Sequence, residues 1–280
     1  MASNSFKCRD LVGQDVAVTS LQSASKNPFP VLLRPTELKQ VPINEIFTIE
    51  SNAFHISAKR RAKAYVLYQN RVTLLSLSAL KWLDETMIEK GESITKVDEY
   101  GLFNFLSSEL RKDPSVSFKV DNGIIAASEK GMFDCYSSSV LFADVLSRMG
   151  VRVEVAYVPG HMFLEGSTHR FETTAVKTPC AIPKEHKLQY SKCSRAPASS
   201  IAAATWIQVG DMYSKLGQPL KSLASFENAL SIDSINIEAI QNKAVILNKM
   251  DFMDNAILLF KELTSRAATK FRDFITRQNN

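Results

Sequence analysis

The chain has 280 residues, 45% of them hydrophobic and 22% charged, with a formal net charge of +5 at pH 7. With only ten glycines and ten prolines, that balance describes a globular protein and excludes collagen-like and low-complexity architectures. The basic residues are dispersed; the one dense run, Lys59-Arg60-Arg61-Ala62-Lys63, sits in a helical pattern without interleaved aromatics, so a solvated face is expected and no nucleic-acid partner.

The four cysteines, Cys8, Cys135, Cys180 and Cys193, form no CxxC pair, which suits a reducing compartment better than a disulfide scaffold. The longest uncharged apolar stretch, near Val72–Leu80, is too short to span a bilayer, and the N-terminus lacks the basic start and apolar run of a secretory signal. A cytoplasmic protein without membrane contact is expected.

Along the chain, residues 1–43 show no sustained period and carry Pro28, Pro30 and Pro35, so they read as an extended N-terminal arm. From Ala58 to about Lys90 apolar residues recur at helical spacing through Ala64, Leu67, Val72, Leu75, Leu80 and Leu83. A second helix spans roughly Val97 to Leu110 and stops at Asp113-Pro114. Ser117–Val120 reads as a short extended piece and Asp121-Asn122-Gly123 as a turn.

The helix expected over Asp134–Met149 places Tyr136, Val140, Ala143, Leu146 and Met149 on a recurring face, with Asp134 as its cap and Gly150 at the left-handed position beyond its end. Val151–Val158 alternates and is rich in β-branched residues, predicting a strand. After Pro159-Gly160, His161–Glu165 and His169–Thr174 predict a hairpin around Gly166-Ser167-Thr168. Residues 175–200, with Pro179, Pro183 and Pro197, read as irregular. The predicted organisation is an N-terminal extension over 1–43, an α+β domain over 44–195 and an all-helical module over 196–280.

Cys135 opens its helix, where unpaired backbone N–H groups and the helix dipole favour negative charge, the state in which sulfur attacks. The small residues Ser137-Ser138-Ser139 that follow leave room for a substrate to approach. The order Gly-x-x-Asp-Cys-Tyr-Ser-Ser-Ser, Leu-Ser-Arg-Met-Gly, Val-Arg-Val-Glu-Val, His161-Met-Phe-Leu-Glu and Phe171-Glu-Thr-Thr resembles the transglutaminase-like core over about residues 95 to 176. In that papain-like family a cysteine begins a helix, and a histidine and an acid follow on successive strands. The resemblance implies Cys135 as nucleophile, His161 as base and Glu172 as the orienting acid. Glu172 departs from the aspartate usual there.

Hairpin register gives an internal check on that set. If Glu165 pairs with Arg170, His161 and Glu172 share one face as diagonal neighbours about 7–8 Å apart at Cβ. A one-residue slip would put Glu172 on the other face. His169 is the rival base, on the face that Glu172 does not share. Cys180, His186 and Cys193 match no standard zinc spacing, and HExxH, GxSxG and glycine-rich phosphate loops are absent. No metal or cofactor is expected.

At the C-terminal end, Trp206-x-x-Val209-Gly210-x-x-Tyr213 resembles the first helix of a tetratricopeptide repeat, with Phe226 and Ala229 placed as in its second helix. The 34-residue period carries Gly210 to Ala244, Tyr213 to Leu247, Gly217 to Asp251 and Phe226 to Phe260, with Ala256 at a small-residue position. Two repeats and a capping helix near Ala268–Arg277 are expected; such a short array must lean on the preceding domain. The module either binds a protein partner in its groove or braces the catalytic domain.

The combined resemblance implies a cysteine-dependent acyl-transfer enzyme acting on peptide, isopeptide or glutamine amides through a Cys135 thioester. Water would resolve it in a hydrolase, an amine in a cross-linker. The alternative is a non-catalytic transglutaminase-like scaffold whose repeats dock a protein partner.

Overall fold

A computed structural model of the chain describes residues 7–9, 15–17, 41–90, 98–118, 123–158, 161–174, 181–183, 194–252, 254–259, 261 and 265. Helices and a small antiparallel sheet alternate along it. A hairpin of β1 (Lys7–Arg9) and β2 (Asp15–Ala17) lies within the extension expected to be an arm. Then come α1 (Ile43–Ala53), α2 (Ala58–Lys90), α3 (Glu99–Lys112), β3 (Ser117–Phe118), α4 (Ile124–Lys130), β4 (Met132–Phe133) and α5 (Cys135–Arg148). The strands β5 (Glu154–Val158), β6 (His161–Glu165), β7 (His169–Phe171), β8 (Ala181–Pro183) and β9 (Ser194–Pro197) follow. A 3-10 turn at Ala198–Ser200 leads into α6 (Ile201–Lys215), α7 (Pro219–Ile232) and α8 (Ile237–Lys249), and residues 254–259 are again helical.

Helix α5 is the centre of the molecule. Every residue from Tyr136 to Ser147 is buried, as expected of a helix that is covered all round. Its C-terminal end closes as the sequence predicts. Gly150 takes φ 77°, the Gly150 N–H donates to Ser147 O and the Val151 N–H donates to Leu146 O, the paired bonds of a left-handed helix stop. On one side α5 meets α2, where the Tyr68 hydroxyl donates to Asp144 at 3.1 Å and Arg148 clasps the same carboxylate at 3.0 Å. On the other it meets the sheet, with the Phe171 ring between Phe142 at 4.7 Å and Phe103 at 4.8 Å.

The sheet runs β8-β7-β6-β5-β9, all neighbours antiparallel. Its two edge strands fall in the stretch expected to be irregular. Pro183 ends β8 and Pro197 ends β9; proline is tolerated where no partner needs its missing N–H, which is at edges and strand ends. The predicted strand over Val151–Val158 begins only at Glu154, because Val151 to Val153 carry the chain away from the helix stop.

Two helices were not anticipated, α1 and α4. Ile43, Ile46, Phe47 and Ile49 of α1 are buried, and so is Glu50 at 3% exposure. The Glu50 carboxylate accepts from the N–H groups of Ile124 at 2.7 Å and Ile125 at 3.0 Å. It thereby caps α4, whose own N-cap is Gly123 with no side chain to offer.

Helices α6, α7 and α8 enclose a second apolar cluster of Ala203, Ile207, Phe226, Ala229, Ala239 and Ile246. Helix α6 also sends Ile201, Ala202, Ala204 and Val209 into the main core, so it belongs to both. A Cβ on Gly210 would stand 2.5 Å from the Phe226 ring, so only glycine lets α7 approach so closely. The turns after α6 and α8 share one backbone solution. Gly217 (φ 68°) and Asp251 (φ 64°) are both left-handed, one 34-residue period apart. Bonds from Gly217 N to Ser214 O and Gln218 N to Tyr213 O repeat as Asp251 N to Asn248 O and Phe252 N to Leu247 O. Phe260 and the segment expected to cap the array, Ala268–Arg277, lie outside the described residues.

Candidate active site

Cys135 is the first residue of α5 and Asp134 its cap. Asp134 Oδ1 accepts from the Ser137 N–H and hydroxyl, both at 2.7 Å, while the Asp134 N–H donates to Ser137 Oγ at 2.9 Å. This reciprocal box holds the first turn rigid around the sulfur. The other carboxylate oxygen, Oδ2, accepts from Gln208 of α6 at 3.0 Å. One residue after the cysteine, the Tyr136 hydroxyl bonds Thr205 of α6 at 2.8 Å and Glu50 at 3.4 Å. The turn that presents the thiol is therefore tied to α1 and to α6.

His161 begins β6, opposite Val158 across the hairpin from β5. The Glu165–Arg170 register is the one expected, and the pair also forms an ion pair at 2.9 Å, with Arg195 completing the set at 2.5 Å. The second strand is shorter than predicted. It ends at Phe171, and Thr173 and Thr174 lie in a turn. Glu172 leaves the ladder at that point and still reaches the imidazole, with 2.7 Å between His161 Nε2 and Glu172 Oε2. The Phe163 ring stacks alongside at 6.0 Å.

The structure thus brings together all three residues singled out from sequence. A hydrogen bond with the Cys135 side chain, and then one with Glu172, pushes the His161 imidazole up to about 10 despite its burial, so the ring is cationic at neutral pH. The ring thus bonds Glu172 through Nε2 and the Cys135 side chain as well. The carboxylate sets the tilt of the imidazolium and balances its charge, as a third group does in nucleophile–base–acid sites.

The serines after Cys135 do not open space for substrate as expected. Ser137, Ser138 and Ser139 are fully buried. Ser138 Oγ donates to Thr173 Oγ1 at 2.8 Å and Ser139 Oγ lies 3.0 Å from the same atom. This hydroxyl clamp joins the first turn of α5 to the residue after Glu172, which holds Glu172 and Cys135 in register. Sequence reading missed Thr173; its signal was a threonine beside the candidate acid, too common to stand out. The rival base, His169, is at the far end of the hairpin, with its N–H donated to Glu99 and its Nδ1 beside Thr168 Oγ1. It does not line the cleft of Cys135.

That cleft has a volume of about 560 Å³. Cys135 and His161 line one side with Phe133, Tyr157 and Met162, and α6 forms the other through Ala204, Ile207, Gln208, Asp211, Met212 and Lys215, with Glu238 from α8. Cys135 is free and partly exposed. The residue therefore borders a largely apolar cleft with a few polar groups, the usual form of a ligand site.

Among the described residues no group of three or more His, Cys, Asp or Glu side chains could hold a metal ion; Cys180, His186 and Cys193 lie outside them. No helix among the described residues is long and apolar enough to cross a membrane. No family model matches the chain, and neither curated proteins nor solved structures give a match.

Proposed function

We propose that the protein is a cysteine-dependent acyl-transfer enzyme with a transglutaminase-like site, acting on peptide, isopeptide or glutamine amide bonds. The observation that carries this reading is the line Cys135–His161–Glu172, with 2.7 Å between the last two, facing a cleft of about 560 Å³. Cys135 Sγ, its proton passed to His161, attacks the amide carbonyl carbon. The C–N bond breaks, the imidazolium gives its proton to the departing amine, and a thioester remains on the sulfur. Water or a second amine then adds to the thioester, His161 takes its proton, and the sulfur leaves. Glu172 keeps the imidazolium oriented and stabilises its charge throughout.

The helical module is read as a short tetratricopeptide-like array. Support comes from the periodic turns at Gly217 and Asp251 and from the close Gly210–Phe226 approach. Its first helix is also a wall of the cleft, so the module shapes the substrate site, and a protein or peptide is the fitting substrate. A cytoplasmic setting, where the thiol stays reduced, belongs to the same reading.

Alkylation with iodoacetamide at pH 7, followed by peptide mass mapping, tests it. Cys135 is expected to react at least tenfold faster than the other three cysteines, and His161→Ala to remove that advantage. A Cys135 no more reactive than the others would leave a non-catalytic scaffold.

A further inference from the structure

Tyr157 lies on β5, paired with Met162 and one position from the Val158–His161 pair. It is 3% exposed and lines the cleft that holds Cys135 and His161. Its hydroxyl has no hydrogen-bond partner. Only two other buried side-chain polar atoms among the described residues share that condition, the hydroxyls of Ser76 and Ser147. Both of those are on helices, where a serine can turn to a carbonyl of the preceding turn. A phenol hydroxyl at the end of a rigid ring has no such recourse to its own backbone. Leaving it unpaired costs folding free energy, and a buried polar group left so calls for an explanation in ligand or function.

Its surroundings define what would satisfy it. The charges acting on the phenol are those of Asp233, just after α7, and of Glu238 in the first turn of α8, which lines the same cleft. Burial first, and then those carboxylates, hold the phenol far above its ordinary value. It is therefore a neutral O–H donor seeking an acceptor. The cleft around it is apolar, through Met162, Ile207 and Met212. A carbonyl oxygen, as in a peptide or carboxamide, meets both conditions: it accepts from the phenol and suits apolar walls.

We propose that Tyr157 is a substrate-binding residue, its hydroxyl donating a hydrogen bond to an amide carbonyl of the acyl substrate held in the Cys135 cleft. This rests on the acyl-transfer reading and deepens it: the substrate is bound as an extended peptide lying between β5 and α6, and the hydroxyl reads its backbone or a carboxamide.

The test uses the full chain and its Tyr157→Phe variant, which differ by one oxygen. Two reagents are compared on each: iodoacetamide, which needs only the thiol, and an N-acyl dipeptidyl chloromethyl ketone, which must occupy the cleft. Inactivation of Tyr157→Phe by the peptidyl reagent is expected to be about tenfold slower, through weaker apparent binding. Its iodoacetamide rate should stay within twofold of wild type, and its melting temperature should be equal or higher, because an unpaired hydroxyl has been removed. Equal peptidyl inactivation of both proteins overturns the proposal. So does a variant that melts lower and reacts more slowly with both reagents, since that pattern marks a structural hydroxyl. Failure of the underlying reading is separately visible, because wild-type Cys135 would then show no preference for either reagent over the other cysteines.

Discussion

Glu172 Oε2 stands 2.7 Å from His161 Nε2 although Glu172 lies one residue beyond the last residue of β7. The longer acid side chain spans the distance left where the strand has ended and the chain has begun to turn. An aspartate at the same backbone position would be one methylene short. Glu172→Asp is therefore expected to slow the proposed acyl transfer by roughly 10²-fold, the scale of a misplaced acid–base group, with Glu172→Gln falling at least as far because its amide carries no charge to balance the imidazolium. Turnover of an amide substrate by the three forms checks this; full activity in the aspartate form would show that the methylene is dispensable.

The cationic His161 makes a charge prediction. With its imidazole pushed up to about 10 by Cys135 and Glu172, the ring is positive from neutral pH upward to that value. Iodoacetate should alkylate Cys135 faster than iodoacetamide at pH 7, relative to their ratio on free thiols, because the imidazolium attracts the carboxylate. That preference should disappear as pH rises through about 10. It should be absent at pH 7 in His161→Asn.

Thr173 is fully buried and shares its hydroxyl with Ser138 and Ser139. Thr173→Val keeps the shape; Ser138 retains its bond to Asp134 O, and Ser139 is the buried hydroxyl left without its partner. A loss of about 1–3 kcal/mol in denaturant unfolding is expected, the cost of unpaired buried groups, together with slower turnover as Glu172 loses its anchor. Unchanged stability would mean that Ser139 finds another acceptor.

Glu50 titrates in the neutral range, raised to about 7 by burial against its hydrogen bonds to Ile124 and Ile125. A carboxyl raised in the folded state binds its proton there while the unfolded chain has released it. Stability contributed by the protonated form is therefore complete below pH 4.5 and declines as pH rises to about 7, by on the order of 3 kcal/mol. Glu50→Gln should flatten that slope in unfolding curves measured from pH 4.5 to 8, whatever its absolute stability. A slope identical to wild type would place the titration elsewhere.

Local signals made much of this molecule legible. The cap at Asp134, the stop at Gly150, the hairpin register through Glu165 and Arg170, and the paired turns at Gly217 and Asp251 each depend on side chains within a few residues of one another. Backbone conformation at such places follows from short-range sterics and hydrogen bonding, which a linear text records. The same locality put Cys135 at a helix start and His161 and Glu172 on one face.

The remainder was decided by partners far apart in the chain. Glu50 caps α4 from α1, across a separation no motif encodes, and its burial is visible only once both helices are packed. The strands β8 and β9 have prolines and no alternation; they exist because β7 and β5 offer them edges to pair with. The cleft itself needs α6 against the first turn of α5, through Gln208 and Asp134 and through Thr205 and Tyr136. A sequence can specify which side chain carries a thiol or a phenol, but the chemistry of each follows from what is brought within a few ångströms of it. For the Cys135 sulfur and the Tyr157 hydroxyl, that was settled by the packing of elements distant in sequence.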